Sequence, residues 1–309
     1  MTHRSGFVSI VGRPNVGKST LLNYYLGEKV AIVSPIPQTT RHRILGVVTG
    51  EHAQVMLLDS PGLHPPEHAL GRHMMEVAKA VMAEADVLLV MIDARRGVTE
   101  DDERIFAQIN VLLREPPKGE QGTPRKAVLA INKIDLVKKP RLLPLLEACA
   151  RKGLFAECIP ISALTGQQMD VLLDRLVAHL PMGPRWYDPA QRTDQSMRQL
   201  IGELIREQAL LATRQEVPHA IGVLVEDVTE GKRVITIQAT VFVERPGQKA
   251  ILIGRQGTML KRIGQAARQQ IERLLGRKVH LGLWVKVVEQ WRRDERMLRQ
   301  LGYVGVPNE

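Results

Sequence analysis

Cysteine is scarce: the 309 residues include only two, Cys149 and Cys158. Both sit among apolar neighbours, and their spacing suits no metal. That excludes a disulfide framework and a zinc cluster, and reads as two core thiols in a reducing cytoplasm. Long hydrophobic runs are missing too. Nowhere do about 18 uncharged apolar residues follow one another, so no transmembrane helix is expected. Met1-Thr2-His3-Arg4 leads straight into a strand pattern, so no signal peptide is expected. A strongly apolar amphipathic tail is also lacking, which leaves membrane attachment with little but charge to rest on.

What is present is globular. Apolar residues make up 44% and charged residues 25%, over a length sufficient for two domains with a core each. The net charge of +10 is unevenly spread. Residues 1–182 hold 22 Lys+Arg against 19 Asp+Glu, whereas Arg245 to Arg299 holds 14 against 4. A field of that sign attracts phosphate backbones or an anionic membrane surface, and nucleic acid is the preferred reading.

The chain is organised around Gly12-Arg13-Pro14-Asn15-Val16-Gly17-Lys18-Ser19. It fits the phosphate-loop pattern G-x-x-x-x-G-K-[ST], between a strand pattern at Phe7–Val11 and a helix pattern from Thr20. Glycines let the backbone curl so that N–H groups point at an anion, and the helix N-terminus adds partial positive charge. Lys18 brings a full charge to the outer phosphates, and Ser19 a hydroxyl to Mg²⁺.

Strand and helix patterns alternate to about residue 180, which predicts a doubly wound, mostly parallel α/β sheet over residues 1–182. Ligands of such sheets bind at the carboxyl ends of strands, and the remaining motifs fall there. Asp59-Ser60-Pro61-Gly62 offers a carboxylate that reaches Mg²⁺ through a water, and a Gly62 N–H for the terminal phosphate. Asn132-Lys133-Ile134-Asp135 offers Asp135 to N1 and the 2-amino group of guanine, a donor pair adenine lacks. Asn132 holds that loop and the Lys133 stem covers the base. In Ser162-Ala163-Leu164 the Ala163 N–H is placed for the guanine oxygen.

This ordered set resembles the boxes of a small GTPase, and Gln38-Thr39-Thr40-Arg41-His42 resembles the first switch of the Era-type GTPases of bacteria. The resemblance implies GTP/GDP and Mg²⁺ as ligands, with a switch threonine closing on the metal beside Ser19 and Asp59. Thr40 takes that role, with Thr39 the alternative. The residue after Gly62 is Leu63, where Ras-like enzymes place a water-orienting glutamine, so slow intrinsic hydrolysis is expected. Asn15 either shapes the loop or, as in related GTPases, helps bind a K⁺ that stimulates hydrolysis. Asn15, Lys18, Thr40 and Gly62 are the expected catalytic group. His64 and His68, in the second switch, read as solvated loop residues.

Leu180-Pro181-Met182-Gly183-Pro184 ends the alternation, and residues 183–193 read as a linker. Beyond it, 194–309 reads as a smaller α+β domain. Ser196–Leu211 is an amphipathic helix with Leu200, Leu204 and Leu211 on one face. Strands follow at Ala220–Asp227 and Val234–Val243. Ile253-Gly254-Arg255-Gln256-Gly257 then opens a helix bearing Lys261, Arg262 and Arg268. A Gly-x-x-Gly loop between helices, flanked by cations, fits the clamp of a type II KH fold, which grips about four nucleotides of single-stranded RNA. Trp291 is read as packing the last helix to the sheet, with base stacking the alternative. With this domain the resemblance to the Era-type family spans nearly the whole chain. It implies binding to the 3′ end of 16S rRNA, a role in 30S subunit assembly and rRNA maturation, and a cytoplasmic protein, monomeric off the ribosome and peripheral at the inner membrane. The alternative is a nucleotide-gated RNA chaperone with little turnover. A tRNA-modifying GTPase would need a cofactor domain and a catalytic cysteine, and neither is visible.

Overall fold

The computed structural model describes residues 3–34, 36, 39–62, 68–115, 124–213, 217 and 220–303. Gln38, Leu63, His64 and residues 116–122 of the expected surface loop lie outside the described residues. The chain forms two compact units. One comprises Met1–Ala31, Thr40–Pro65 and Met74–Asp194; the other comprises Ile32–Thr39, Pro66–His73 and Gln195–Glu309.

The first unit is built on β1 (Arg4–Gly12), β2 (Ile44–Thr49), β3 (Ala53–Asp59), β4 (Val87–Asp93), β5 (Lys126–Asn132) and β6 (Glu157–Pro160), in sheet order β2-β3-β1-β4-β5-β6. Only β2 runs antiparallel. β3 and β4 are buried along their whole length, which explains their near-continuous apolar runs. α1 (Lys18–Leu26), α2 (Ala69–Glu84), α3 (Glu100–Arg114), α4 (Lys139–Ala150) and α5 (Met169–His179) supply the helices. α3 starts at a capping box, where Thr99 N–H and Oγ1 both donate to Asp102 Oδ2. β1 pairs with β3 on one side and β4 on the other. The winding therefore reverses at β1, and a crevice opens at its carboxyl end. The phosphate loop leaves β1 there.

Residues 183–193 are more than a linker. Trp186 and Tyr187 N–H both donate to Gln54 Oε1, at 2.7 and 3.0 Å, and Val47 N–H donates to the Arg192 carbonyl at 2.8 Å. Trp186 also meets Phe7 edge to face. Buried Gln54 is the reason: a polar side chain inside the sheet must bond something, and this stretch of backbone is its partner. Of the two thiols, Cys149 is fully buried but Cys158 only partly.

The second unit stacks α6 (Met197–Ala212), α7 (Pro246–Ile253) and α8 (Thr258–Leu275) on a sheet of β7 (Gly222–Glu230), β8 (Val234–Val243) and β9 (Lys278–Val287), ordered β7-β8-β9. β7–β8 is antiparallel and β8–β9 parallel, with α7 and α8 forming the crossover. Ile201, Ile205 and Ala209 of α6, Ile237, Ala239 and Val241 of β8, and Ile263, Ala267 and Ile271 of α8 share one core. β7 starts two residues later than expected, runs to Glu230 and is bulged between Val225 and Asp227.

α6 departs from the amphipathic reading. Leu211 is 51% exposed, whereas every residue from Leu200 to Leu210 is buried, Glu203, Arg206 and Glu207 included. Residues of 32–39 account for this. Ile32 joins the core, Val33 N–H donates to Glu207 Oε1 at 3.0 Å, and Arg206, paired with Glu203, donates to the Thr39 carbonyl. Trp291 is fully buried, donates Nε1–H to the Ala220 carbonyl and stacks on Tyr303, so its ring packs the fold and is closed to a base. His68 is more than a solvated loop residue: Arg292 Nη1 donates to its Nε2 at 2.8 Å.

Candidate functional site: a nucleotide pocket and a GxxG loop

The phosphate loop folds as its sequence demands. Asn15 and Gly17 take positive φ, 64° and 107°, which turns the chain back on itself. A Cβ on Gly12 would lie 2.6 Å from the Met91 carbonyl oxygen, and one on Gly17 would lie 2.3 Å from Asn132 Nδ2. Packing therefore requires glycine at both positions, and at Gly17 the positive φ requires it as well. Gly17 caps α1 without a side-chain bond, which leaves the first N–H groups of the helix, from Lys18, Ser19 and Thr20 onward, for an anion. Buried Val16 anchors the loop beneath.

Lys18 Nζ donates to the carbonyls of Gly12 at 3.0 Å and Arg13 at 3.2 Å, which arches its stem over the loop. Burial lowers the Lys18 pKa against the pull of Asp59, and burial raises that of Asp59 against the pull of Lys18. Arg13 itself turns away, its Nε donating to buried Asp102 at 2.7 Å. Ser60 and Pro61 are buried after β3, and Gly62 lies against Pro14, whose Cγ would sit 3.3 Å from an added Cβ. The second phosphate box thus closes on the first.

Ser19 Oγ donates to Asp59 Oδ2 at 2.7 Å, and Thr40 Oγ1 lies 3.3 Å from Ser19 Oγ and 3.4 Å from Asp59 Oδ2. Of the threonine doublet it is Thr40 that joins this cluster; Thr39 Oγ1 donates to the Ile36 carbonyl. Asp59 Oδ1 is buried without a hydrogen-bond partner. Two hydroxyls and an orphaned carboxylate oxygen form a hard donor set that fits Mg²⁺.

Asn132, ending β5, ties three loops together. Its Nδ2 donates to the Val16 carbonyl at 2.8 Å and its Oδ1 accepts the Ala163 N–H at 2.9 Å. Lys133 follows in the left-handed conformation, φ 68°, and its Nζ donates to the Asn15 carbonyl at 2.6 Å. Ser162 Oγ donates to Asp135 Oδ1 at 2.6 Å, and Leu164 is exposed beyond Ala163. Every described residue of the four boxes is therefore gathered at one edge of the sheet.

One residue escaped the motif reading. Asp93, the last of β4, accepts from Lys133 Nζ at 2.8 Å and from Arg95. Burial would raise its pKa, but bonds from Arg95 and Lys133 outweigh that and hold it at about 2. The available signal was its place, directly after a buried run at a carboxyl strand end.

In the second unit Gly254 and Gly257 both have positive φ, 72° and 76°, around an Arg255–Gly257 turn, with Gln256 also left-handed. A Cβ on Gly254 would lie 2.7 Å from Met259 Cβ; one on Gly257 would meet nothing. Ile253 packs against the core behind the loop. Arg255, Gln256, Lys261, Arg262 and Arg268 are exposed. The Arg262 head folds back to the Ala212 carbonyl at 3.3 Å, so it stands apart from Lys261 and Arg268 on α8.

Comparison with known proteins agrees with this division. Residues 7–133 match the model of a family described as 50S ribosome-binding GTPase, and residues 216–292 match a KH domain model. A crystal structure of an Aquifex aeolicus Era variant bound to GDP·AlF4⁻ is 41% identical, covers 97% of this chain and 99% of its own, and has a TM-score of 0.90. A second crystal structure, of Era with MgGDPNP and nucleotides 1506–1542 of 16S ribosomal RNA, is 41% identical over the same shares, with a TM-score of 0.91. Since these matches at 41% identity cover 97% of the chain, the chain belongs to the Era family of GTPases.

Proposed function

We propose that this protein binds and hydrolyses GTP with Mg²⁺, grips the 3′ end of 16S rRNA through its KH domain, and so assists assembly of the 30S subunit and maturation of its RNA. The observation that carries the reading is the convergence of three loops through Asn132 beside the arch of Lys18. The family match to residues 7–133 speaks of the 50S subunit. The relative aligned over 97% of the chain, KH domain included, holds 16S nucleotides, and we follow the latter.

The residues divide the work. The N–H groups from Asn15 to Thr20 cradle the phosphates, and Lys18 draws off charge as the β–γ bridge breaks. Ser19, Thr40 and Asp59 would hold Mg²⁺, which would supply positive charge beside the phosphates. Gly62 N–H faces the γ-phosphate. A water attacks that phosphorus, the bond to the β-phosphate oxygen breaks, and GDP and phosphate leave. Leu63 cannot orient the water, which makes unaided turnover slow. Asn15, with K⁺ as the added charge, is our candidate for the compensation. Asp135, with the Ala163 N–H, selects guanine, and Lys133 covers it. On the RNA side, the backbone of Ile253–Gly257 meets the phosphates, supported by Arg255, Lys261, Arg262 and Arg268. We take the protein as a cytoplasmic monomer off the ribosome that touches the inner membrane only peripherally, through its basic surface.

Crosslinking and RNA sequencing on cells expressing the intact chain tests the partner. Reads should pile up at the 3′ end of 16S rRNA; an even spread over ribosomal RNA defeats the proposal. Turnover in KCl and NaCl at equal ionic strength tests K⁺, and equal rates dismiss it. The apolar Leu63 favours a second reading, a nucleotide-gated RNA chaperone. Failure to exceed one GTP per protein, with 16S binding retained, would select it.

A further inference from the structure

The Asp93 carboxylate has no part in the phosphate chemistry, yet it is built into the pocket. It ends a strand buried along all seven residues, and its own side chain is 4% exposed. In the β4–β5 register it stands opposite Asn132, and the next N–H, from Ala94, donates to the Asn132 carbonyl at 2.8 Å. The carboxylate thus starts from a rigid point beside the base-recognition loop. Its Oδ1 accepts the Arg95 N–H at 2.9 Å, and its Oδ2 accepts Lys133 Nζ at 2.8 Å. The same ammonium donates to the Asn15 carbonyl. Lys133 is therefore pinned at its head by two acceptors and at its root by Asn132, so the stem between is held at both ends.

We propose that Asp93 is a positioning residue for guanine nucleotide: it fixes the Lys133 ammonium so that the lysine stem stands as a wall of the base site before nucleotide arrives. This rests on the reading that residues 132–135 hold the base. A free lysine stem would have to be ordered on binding, at a cost in affinity; a pinned one has been ordered by the fold. Because the stem covers the flat of the base and not its edge, Asp93 sets how long a nucleotide stays and leaves the choice of base to Asp135.

A plainer role is available: Asp93 closes a turn by accepting the Arg95 N–H. Asp93→Asn separates the two. The amide oxygen still accepts from Arg95, whereas the amide nitrogen cannot accept from Lys133. Fluorescent GDP and GTP analogues, measured by stopped flow on the full chain, should leave Asp93→Asn on the order of tenfold faster, with little change in association. Preference for GTP over ATP and XTP should not move. In a Lys133→Met background the Asp93→Asn change should have no further effect, since the residue it acts through is gone. Dissociation unchanged within about twofold would overturn the proposal. So would an equal loss in the Lys133→Met background, which would mean that Asp93 serves the fold alone. If the wild-type protein showed no preference for GTP over ATP, the base-site reading itself would fall, and that outcome is visible before any variant is made.

Discussion

Arg13 and Asp102 are joined inside the first unit by a 2.7 Å bond from Nε to Oδ1, with side chains 8% and 1% exposed. The same aspartate accepts two bonds from Thr99 at the start of α3 through its other oxygen. One buried carboxylate therefore braces the phosphate loop against a helix N-terminus.

A buried pair of this kind makes an asymmetric prediction. Removing one partner strands the other charge away from water, whereas replacing both removes the desolvation cost along with the attraction. Asp102→Ala should cost about 3–5 kcal/mol in urea unfolding, capping loss included. Arg13→Met with Asp102→Leu should recover much of that. If the double variant is as damaged as the single one, the pair is not the source of the loss.

Asp135 provides the test of base selection. Its Oδ1 already accepts from Ser162, which fixes the carboxylate plane. Asp135→Asn turns an acceptor toward guanine into a donor, and a site built for hydrogen bonds rejects a mismatched ligand by about 10⁴. Competition binding should show GTP affinity falling by at least about a hundredfold and XTP gaining. Retained GTP preference would count against the assignment.

Much of this was legible in the sequence because two strong periodicities coincide with motifs. The runs at Val55–Asp59 and Val87–Ile92 could only be buried strands, and their ends placed the boxes. Thr39 and Thr40 could not be told apart, because both hydroxyls sit on one polar stretch. Only the fold turns Thr39 to the Ile36 carbonyl and Thr40 to Ser19. α6 was misread for a related reason. Glu203, Arg206 and Glu207 look like a solvated face, and their burial depends on residues some 170 positions earlier. Gln54 is likewise illegible, since its partners Trp186 and Tyr187 lie more than 130 residues on. Asp93 has only its place at a strand end to mark it, its Lys133 partner lying 40 residues away.

The Gly-x-x-Gly turn yields an RNA prediction in which one glycine is the better probe. Gly254→Asp would drive its Cβ into Met259, confounding folding with binding. Gly257 has open space around it, so Gly257→Asp meets only the strain of a positive φ, about 1 kcal/mol. It places a carboxylate where phosphates approach the backbone. Binding of a 16S 3′-end oligonucleotide should weaken by two orders of magnitude or more, on the order of what one repelled phosphate contact and a blocked backbone cost. GTP affinity should stay unchanged. Undiminished RNA binding would take the RNA site away from this loop.

The ion pair at Asp93 predicts a pH dependence whose sign is fixed. Its pKa is lowered from 3.8 to about 2, so the unfolded chain takes up the proton first as pH falls. The pair's contribution is therefore fully present above about pH 4 and is lost between about pH 4 and pH 2. A shift of this size is worth at most about 2 kcal/mol, and the half-exposed Arg95 partner brings the expectation to about 1 kcal/mol. Urea midpoints for wild type and Asp93→Asn should differ at pH 6 and draw together as the buffer is taken to pH 3. A gap that widens on acidification would mean that the folded protein holds this carboxyl protonated, and that Lys133 is anchored by something else.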